Sequence, residues 1–595
     1  MKSAENISPT NDRHLGAIFF RRVAELGDRT FVRLQCGEGF REISWRNFGA
    51  AVQNVLLALF AVGLARGERV AIIGENSLEW LCADLATLAG GLPNVVVSPT
   101  LSDVMLLKIL GHSRCRAAFV QNAISVGRLI NLKPQLPALS HIVVMDGEAS
   151  NLPDVLSFTQ LVERGARLEG RRLFEILESV HGNDLATIMY TSGSTGEPKG
   201  VMRTQDNLLS NISNGGEILL SRPEELFIIV LSLNHLFGRF GFLKSVATGR
   251  TTAIIDATEL DLNLKVVASL AGTAMAVVPR VMERIWNSIL DEGRNRKLWE
   301  QLEALDRKKT ELGLDGAESR QFDELRGTLK NVMIQSLGGR IKYISYGGAA
   351  MPPRILRFFE VIGIPLIGSY GSTECGGVTL CGIGDTKPGS LGKPFPNCEL
   401  RIAEDGELLV RGPTVTPGYF ENPEATGEAI DAEGWFHTGD LGRIDADGCL
   451  FLTGRKKDIF NCSDGSNIYP GFIELLLEND SFVRQAVLLG DRRPFIAALI
   501  VPERKKIAAE LHKEESALTQ SEMATVLQSR IDLINLRLEQ FEKIRKFVVM
   551  ENDFLDKVRS TTVFQKIKID RKAVEEVHQK EISAIYLPVV ERQGV

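Results

Sequence analysis

From about Thr30 to Thr258 the chain alternates short apolar, β-branched runs with longer helix-like stretches. The runs are VAIIG from Val70, NVVV from Asn94, AAFV from Ala117, HIVVM from His141, FIIVL from Phe227 and TAIID from Thr252. Strand-length runs separated in this way predict an α/β architecture. The longest apolar run, Val55 to Ala65, is about half the roughly 20 residues a membrane-spanning helix needs and reads as a buried helix.

Between Asp291 and Lys330 lies a segment rich in helix formers and mixed charges, with GLDG at its middle. It predicts a solvated helical hairpin on the surface. After Gly389 the texture changes to short strands with turns at AEDGE, ADG and PTVTPG, which predicts a β-rich subdomain followed by a small terminal α/β unit. A charged helical stretch from Lys505 to Phe541 and a Lys/Arg-rich strand-turn sequence around Lys566 to Lys572 complete this last part.

Composition narrows the function. With 595 residues, at least two domains are expected. The 69 basic and 75 acidic side chains leave a net charge of −6, with no long Lys/Arg run, so nucleic acid is not expected as a partner. The 8 cysteines are scattered without a CxxC pair, which fits a reducing compartment. The polar, acid-containing start MKSAENISPTNDRH lacks the features of a signal or transit peptide, so a cytoplasmic location is expected.

The first motif with chemistry is YTSGSTGEPKG, Tyr190 to Gly200, directly after the strand-like ATIMY. Gly193, Gly196 and Gly200 let backbone N–H groups converge on anionic oxygens. Thr191, Ser192, Ser194 and Thr195 add hydroxyls that donate or reach Mg²⁺, and Lys199 adds a mobile positive charge. A polyphosphate cradle needs this combination. It is not a Walker A loop, because Glu197 and Pro198 separate Gly196 from Lys199 and Gly200 follows the lysine.

This loop resembles the signature of the acyl-adenylate-forming ligases, which include acyl-CoA synthetases, luciferases and nonribosomal adenylation domains. Five further motifs of that family follow in its order: YGGAA at Tyr346, YGSTE at Tyr370, HTGD at His437, GRKKD at Gly454 and KIDRKAV at Lys568. The resemblance spans about residues 15 to 580. It is nearest to long-chain fatty acyl-CoA synthetases through GGRIKYISYGGAA, GSLGKPFP, GYFENPEAT, LTGRKKD and RQAVLLGDRRPFIAALIVPE, together with the charged helical insertion.

The resemblance implies an α/β fold with a large N-terminal domain, residues 1–456, made of two sheet-and-helix lobes plus a β subdomain. A small mobile C-terminal α+β lid, residues 457–595, would turn about a hinge at Lys457. Within the ATP site it implies adenine stacking by Tyr370, with Gly347, Gly348 and Ala349 allowing close backbone approach and Gly371 and Ser372 beside it. Thr373 would approach the α-phosphate, Glu374 would bind Mg²⁺ with Thr191 as hydroxyl partner, Asp440 would grip the ribose hydroxyls, and Arg455 would contact the nucleotide. Lys568 would bridge carboxylate and phosphate oxygens during adenylation. Here the chain departs from the family, because Ile567 replaces the usual glycine and Lys566 stands two residues earlier; residues i and i+2 of a strand share a face, so Lys566 remains an alternative.

His235, Phe237, Phe240, Val278, Pro279 and Tyr346 are the implied acyl-pocket residues, and His235, where relatives have a histidine or aromatic near the carboxylate, is also an implied catalytic residue. Tyr346 replaces a small residue and would shorten or specialise the pocket if its ring enters it. Gly465 falls in DGSNIYPGFIE, which resembles the loop along the thiol channel, although Asp464 stands where relatives often have glycine. The implied reaction joins a medium- or long-chain fatty acid to ATP, giving acyl-AMP, and then to the thiol of CoA. The alternatives are the phosphopantetheine of an acyl carrier protein as acceptor, an aromatic or polycyclic acid as substrate, or a noncatalytic acyl or nucleotide sensor. Peripheral membrane contact and a homodimer are compatible with the same sequence.

Overall fold

The computed structural model describes residues 14–37, 39–148, 154–192, 197–214, 224–255, 264–290, 293–384, 386–461, 467–478, 480–552, 554 and 571–586. All six apolar runs form strands, but they are divided between two sheets. A seven-stranded sheet has the order Val155–Ser157, His141–Val144, Ala117–Val120, Val70–Ile73, Asn94–Val97, Leu185–Ser192, Pro198–Thr204. A nine-stranded sheet has the order Lys393–Pro394, Gly376–Leu380, Leu366–Ser372, Tyr343–Tyr346, Ala274–Val277, Leu226–Ile229, Thr251–Ile254, Thr30–Cys36, Gly39–Ser44. The central strands of both are parallel and the antiparallel strands lie at the edges. Strands covered on both faces read as unbroken apolar runs, which is why Val70–Ile73, Asn94–Val97 and Ala117–Val120 are buried at every position.

The helix Leu78–Ala89 is buried from Trp80 to Ala89 and its apolar residues join a core continuous with both sheets. A helix apolar nearly all round, with Asp84 as its buried charge, belongs in such an interior. The run at Val55 lies in the helix Trp45–Ala61, with Val55 to Leu59 buried. That helix ends at Val62, whose N–H bonds the Ala58 carbonyl ahead of Gly63.

The charged insertion is a hairpin of the helices Gly293–Glu311 and Gly316–Ser336. Asp315 caps the second, accepting from the N–H groups of Ala317 and Glu318 at 2.8 Å each. Solvation is confined to part of it, because Trp299, Leu302, Phe322, Leu325, Leu329 and Met333 are buried and Trp299 meets Phe358 edge-on at 5.0 Å. Burial of that kind stabilises by roughly 1.5–3 kcal/mol per large side chain.

Beyond these lobes, Glu399–Ile402, Glu407–Arg411, Phe436–Ile444 and Leu450–Arg455 form an antiparallel four-stranded sheet. The C-terminal domain has a three-stranded sheet, Val483–Leu489, Ile496–Pro502 and Ile544–Val549, with helices Pro470–Glu478 and Gln520–Asn535 closing a separate core that includes Ile473, Leu488, Ile500 and Leu527. The stretch from Lys505 to Phe541 is not one helix. The helix Arg504–Glu510 ends before His512, whose φ is +52°, and a capping box between Thr519 and Glu522 starts Gln520–Asn535. Arg571 begins the helix Arg571–Val577, which replaces the strand-turn expected for the end of the Lys566–Lys572 run. The earlier residues of that run lie outside the described residues. Among the described residues no helix is long and apolar enough to cross a membrane.

Candidate functional site

In open parallel sheets, loops beyond the carboxyl ends of the strands form the binding crevice. The sequence motifs sit there: Leu185–Ser192 leads into the phosphate loop, Tyr343–Tyr346 into Gly347, Ala274–Val277 into Val278 and Pro279, and Leu366–Ser372 into Thr373 and Glu374.

The phosphate loop is held by a hairpin. Thr191 pairs with Lys199 and Ser192 with Pro198, so these ladders clamp the loop on both sides. Directly opposed antiparallel residues share a face, which puts the Thr191 hydroxyl and the Lys199 ammonium on the same side. Gly193, Ser194, Thr195 and Gly196, and the side chain of Ser192, lie outside the described residues. Behind the hairpin, the Phe420 N–H donates to the Gly200 carbonyl at 2.7 Å and the Met202 N–H to the Gly418 carbonyl at 3.1 Å. This seats Tyr419 beside the lysine, with Lys199 Nζ 5.1 Å from its ring centre.

The same tyrosine reaches the next motif, its hydroxyl standing 3.5 Å from Glu374 Oε1. Glu374 lies in the turn between Leu366–Ser372 and Gly376–Leu380, where Ser372 Oγ accepts from the N–H groups of Glu374 and Cys375 at 3.2 Å each. The Glu374 carbonyl accepts from the Thr416 N–H at 2.7 Å and from Arg203 Nη1 at 3.2 Å. Arg203 is fully buried, and burial pulls its guanidinium down to about 10. Gly376 has φ +66°, and a Cβ there would stand 2.4 Å from Asn211 Nδ2, so the turn requires glycine. Lys199, Tyr419 and Glu374 therefore form a row in which an aromatic ring separates a cation from a carboxylate.

A second row begins at Tyr370, whose hydroxyl donates to Asp440 Oδ2 at 2.7 Å. Arg455 Nε stands 2.8 Å from Asp440 Oδ1, and the two residues pair across adjacent strands of the four-stranded sheet. Burial, with Cys375 and Asp440 adding to it, pushes the Tyr370 phenol far above its ordinary range, so it remains a neutral donor. Arg411 and Arg401 stack on Trp435 on a separate part of this subdomain.

Near the proposed acyl pocket, His235 precedes the helix Leu236–Thr248, and Phe237 and Phe240 pack half-buried against the core. Phe237 Cζ is 3.5 Å from where a Gly347 Cβ would stand, which joins this segment to YGGAA. Val277 pairs with Tyr346 in parallel register, so Val278 and Gly347 leave the sheet side by side. Tyr346 is 2 % exposed, and its hydroxyl lies 2.9 Å from the Cβ position of Gly368. Its ring occupies space that the missing side chain of Gly368 leaves open.

Lys457 lies in the short 3-10 turn Lys456–Asp458, directly after Arg455. Gly465, Asp464, Lys566 and Lys568 lie outside the described residues. Sequence reasoning assigned no role to Arg203 or to Tyr419. Tyr419 lay within GYFENPEAT, and an aromatic beside a glycine in that string was its available signal.

A hard cation shared with a triphosphate needs one or two protein oxygens, and a carboxylate with a neighbouring hydroxyl is a suitable set. Glu374 and Thr191 have that chemistry. Among the described residues, no three of His, Cys, Asp and Glu gather as they would around a cation bound by protein alone.

Residues 19–420 match the family model described as AMP-binding enzyme, and residues 457–589 match the AMP-binding enzyme C-terminal domain. The chain is 32 % identical over 561 residues to the long-chain-fatty-acid–CoA ligase FadD15 of Mycobacterium bovis, covering 90 % of each chain. In structure it is similar to the anthranilate CoA ligase AuaEII in complex with anthranoyl-AMP, with TM-score 0.73, 20 % identity, and 96 % and 98 % of the two chains covered. It is likewise similar to the A domain of the carboxylic acid reductase from Segniliparus rugosus in complex with AMP, with TM-score 0.70, 20 % identity, and 97 % and 95 % covered. With its motifs in family order on this shared scaffold, the chain belongs to the AMP-binding enzyme family.

Proposed function

We propose that this protein is an AMP-forming acid–thiol ligase that activates a fatty acid with ATP and passes the acyl group to CoA. The observation that carries this reading is a pair of rows, Lys199–Tyr419–Glu374 and Tyr370–Asp440–Arg455, joined by the single segment that carries both Tyr370 and Glu374. The first row suits a triphosphate and the second a nucleoside. The name of the FadD15 relative supports a long-chain acid as substrate.

In the first half-reaction a carboxylate oxygen bonds to the α-phosphorus of ATP and the bond to pyrophosphate breaks. The chain's task is to align the reactants and neutralise developing charge. The motifs assign Lys199 and the phosphate loop to the leaving pyrophosphate, Thr373 to the α-phosphate, and Lys568 to the oxygens that join. Tyr370 stacks on adenine while Asp440 accepts from the ribose hydroxyls. Glu374 and Thr191 are the residues that would hold Mg²⁺, which supplies charge neutralisation on the phosphate oxygens. In the second half-reaction the thiol sulfur attacks the acyl carbon and AMP leaves. A lid beginning at Lys457 turns between the two steps, removing Lys568 and bringing the loop around Gly465 to the thiol.

Tyr346 favours a second reading of the substrate. Its phenol, buried against Gly368 at the end of the strand that leads into Gly347, would take volume from a straight acyl tunnel passing that face and would suit a shorter or ring-containing acid.

The test is acid-dependent pyrophosphate release with MgATP across acetate, benzoate and graded fatty acids, each without thiol, with CoA and with holo acyl carrier protein. Turnover peaking with a long fatty acid and CoA is the expected result. Preference for benzoate moves the protein to the second reading, dependence on carrier protein changes the acceptor, and no pyrophosphate with any acid leaves a sensor.

A further inference from the structure

Glu407, the first residue of the strand Glu407–Arg411, is 4 % exposed. A carboxylate so deeply buried is tolerated only when its oxygens are paired. Oε1 accepts from the Gly439 N–H at 2.9 Å, inside the HTGD segment of the strand Phe436–Ile444 that carries Asp440. Oε2 accepts from Lys456 Nζ at 3.0 Å and stands 3.3 Å from His437 Nδ1. Lys456 Nζ also lies 2.6 Å from Asp405 Oδ2. Burial alone would raise the Glu407 carboxyl, but the bonds from Lys456, Gly439 and His437 outweigh it and hold it below its ordinary range.

One buried carboxylate thus ties the strand segment carrying Asp440 to the residue immediately before Lys457. A rotation about Lys457 moves everything after it, so Lys456 belongs to the stationary side. We propose that Glu407 and Lys456 are positioning residues that form the fixed mount of the lid hinge, holding Asp440 and the root of the lid in one frame while the lid turns. The inference rests on the proposed hinge at Lys457. Without the clamp, the turn 456–458 gains backbone freedom and the lid loses its defined orientation for the second half-reaction.

The experiment compares Lys456→Met, Lys456→Arg and Lys457→Pro with the unaltered full-length chain. Three quantities are read: acid-dependent ATP–pyrophosphate exchange, single-turnover thiolysis of preformed acyl-AMP by CoA, and the melting temperature. The Lys456 side chain is 48 % exposed, so replacing it is compatible with folding, which the melting temperature checks. Lys456→Met is expected to slow thiolysis at least fivefold more than exchange, and Lys456→Arg, which can still span both carboxylates, to recover most of that loss. Equal effects on both half-reactions, or no rescue by arginine, would overturn the proposal. Lys457→Pro separates the two ideas: if it blocks thiolysis while Lys456→Met is silent, the clamp is wrong and the hinge stands. If it leaves both half-reactions intact, the hinge is wrong and the clamp as a hinge mount falls with it.

Discussion

The Tyr370 hydroxyl donates to Asp440 Oδ2 at 2.7 Å, across two sheets and 70 positions of sequence. The aromatic proposed to stack on adenine and the carboxylate proposed to bind ribose are therefore one bonded unit, with Arg455 gripping the other carboxylate oxygen. A hydrogen bond to a charged group contributes roughly 1.5–3 kcal/mol. Tyr370→Phe keeps the ring and removes the donor, and is expected to raise KM for ATP about tenfold. Thiolysis of preformed acyl-AMP should change much less. An unchanged KM for ATP would show that Asp440 needs no help from the tyrosine.

Lys568→Ala should abolish most acid-dependent pyrophosphate exchange while preformed acyl-AMP is still converted by CoA, because the proposed role of this lysine is confined to the first half-reaction. Lys566→Ala is the necessary partner measurement. If it, and not Lys568→Ala, stops exchange, the catalytic lysine is two residues earlier than proposed.

Arg239 and Asp84 form an ion pair with both side chains fully buried, joining the helix after His235 to the central helix Leu78–Ala89. Arg239 also donates to Thr187 Oγ1 at 2.9 Å, on the strand that leads to the phosphate loop. Arg239→Met leaves Asp84 charged and without its guanidinium in the interior, which costs about 3–5 kcal/mol. Urea unfolding should show this as a lower midpoint. Adding Asp84→Asn to Arg239→Met should restore more than half of the loss, and failure to do so would mean that shape, not charge, dominates the site.

His14 is 3 % exposed, and burial holds its imidazole down at about 4, against the backbone contact from Leu177 that opposes the shift. The unfolded chain then binds this proton at a higher pH than the folded one, so folding stability rises with pH through the window from about 4 to about 6.5. Between about pH 7.5 and about pH 5 the wild-type protein should lose roughly 2 kcal/mol through this group. His14→Gln should flatten that part of the pH curve. Parallel curves for the two proteins would exclude His14 as its source.

The strands at Val70, Asn94 and Ala117 were legible because burial on both faces leaves an unbroken apolar run. Which of the six runs joins which sheet was not legible in the periodicity, since the alternation of runs and helices is the same whichever sheet a strand joins. The motif loops were legible as a set, because glycine, hydroxyl and lysine at fixed spacing have few structural uses. What ties them together was hidden. Arg239 reads as a surface cation within LFGRFG, and its partner lies 155 positions away. Glu407 belongs to a turn, AEDGE, that looks fully solvated until the four-stranded sheet brings Gly439 and Lys456 onto its carboxylate. Such pairings depend on tertiary neighbours that local periodicity does not encode.

The strand Thr30–Cys36 finds its parallel partner in Thr251–Ile254, and the Thr251 hydroxyl bonds the Thr30 carbonyl 221 positions back at 2.8 Å. During synthesis, at about 5–20 residues per second, that first strand emerges roughly 10–45 s before the segment that completes its ladder. Phe31 and Val32, wholly covered in the finished protein, are without that ladder throughout the wait. The hairpin with Gly39–Ser44 covers one edge of this strand and leaves the other open, and an open strand edge is a template for pairing with other chains. The nascent protein thus carries this open edge until Thr251–Ile254 has left the ribosome, and a chaperone that covers it would act in that interval.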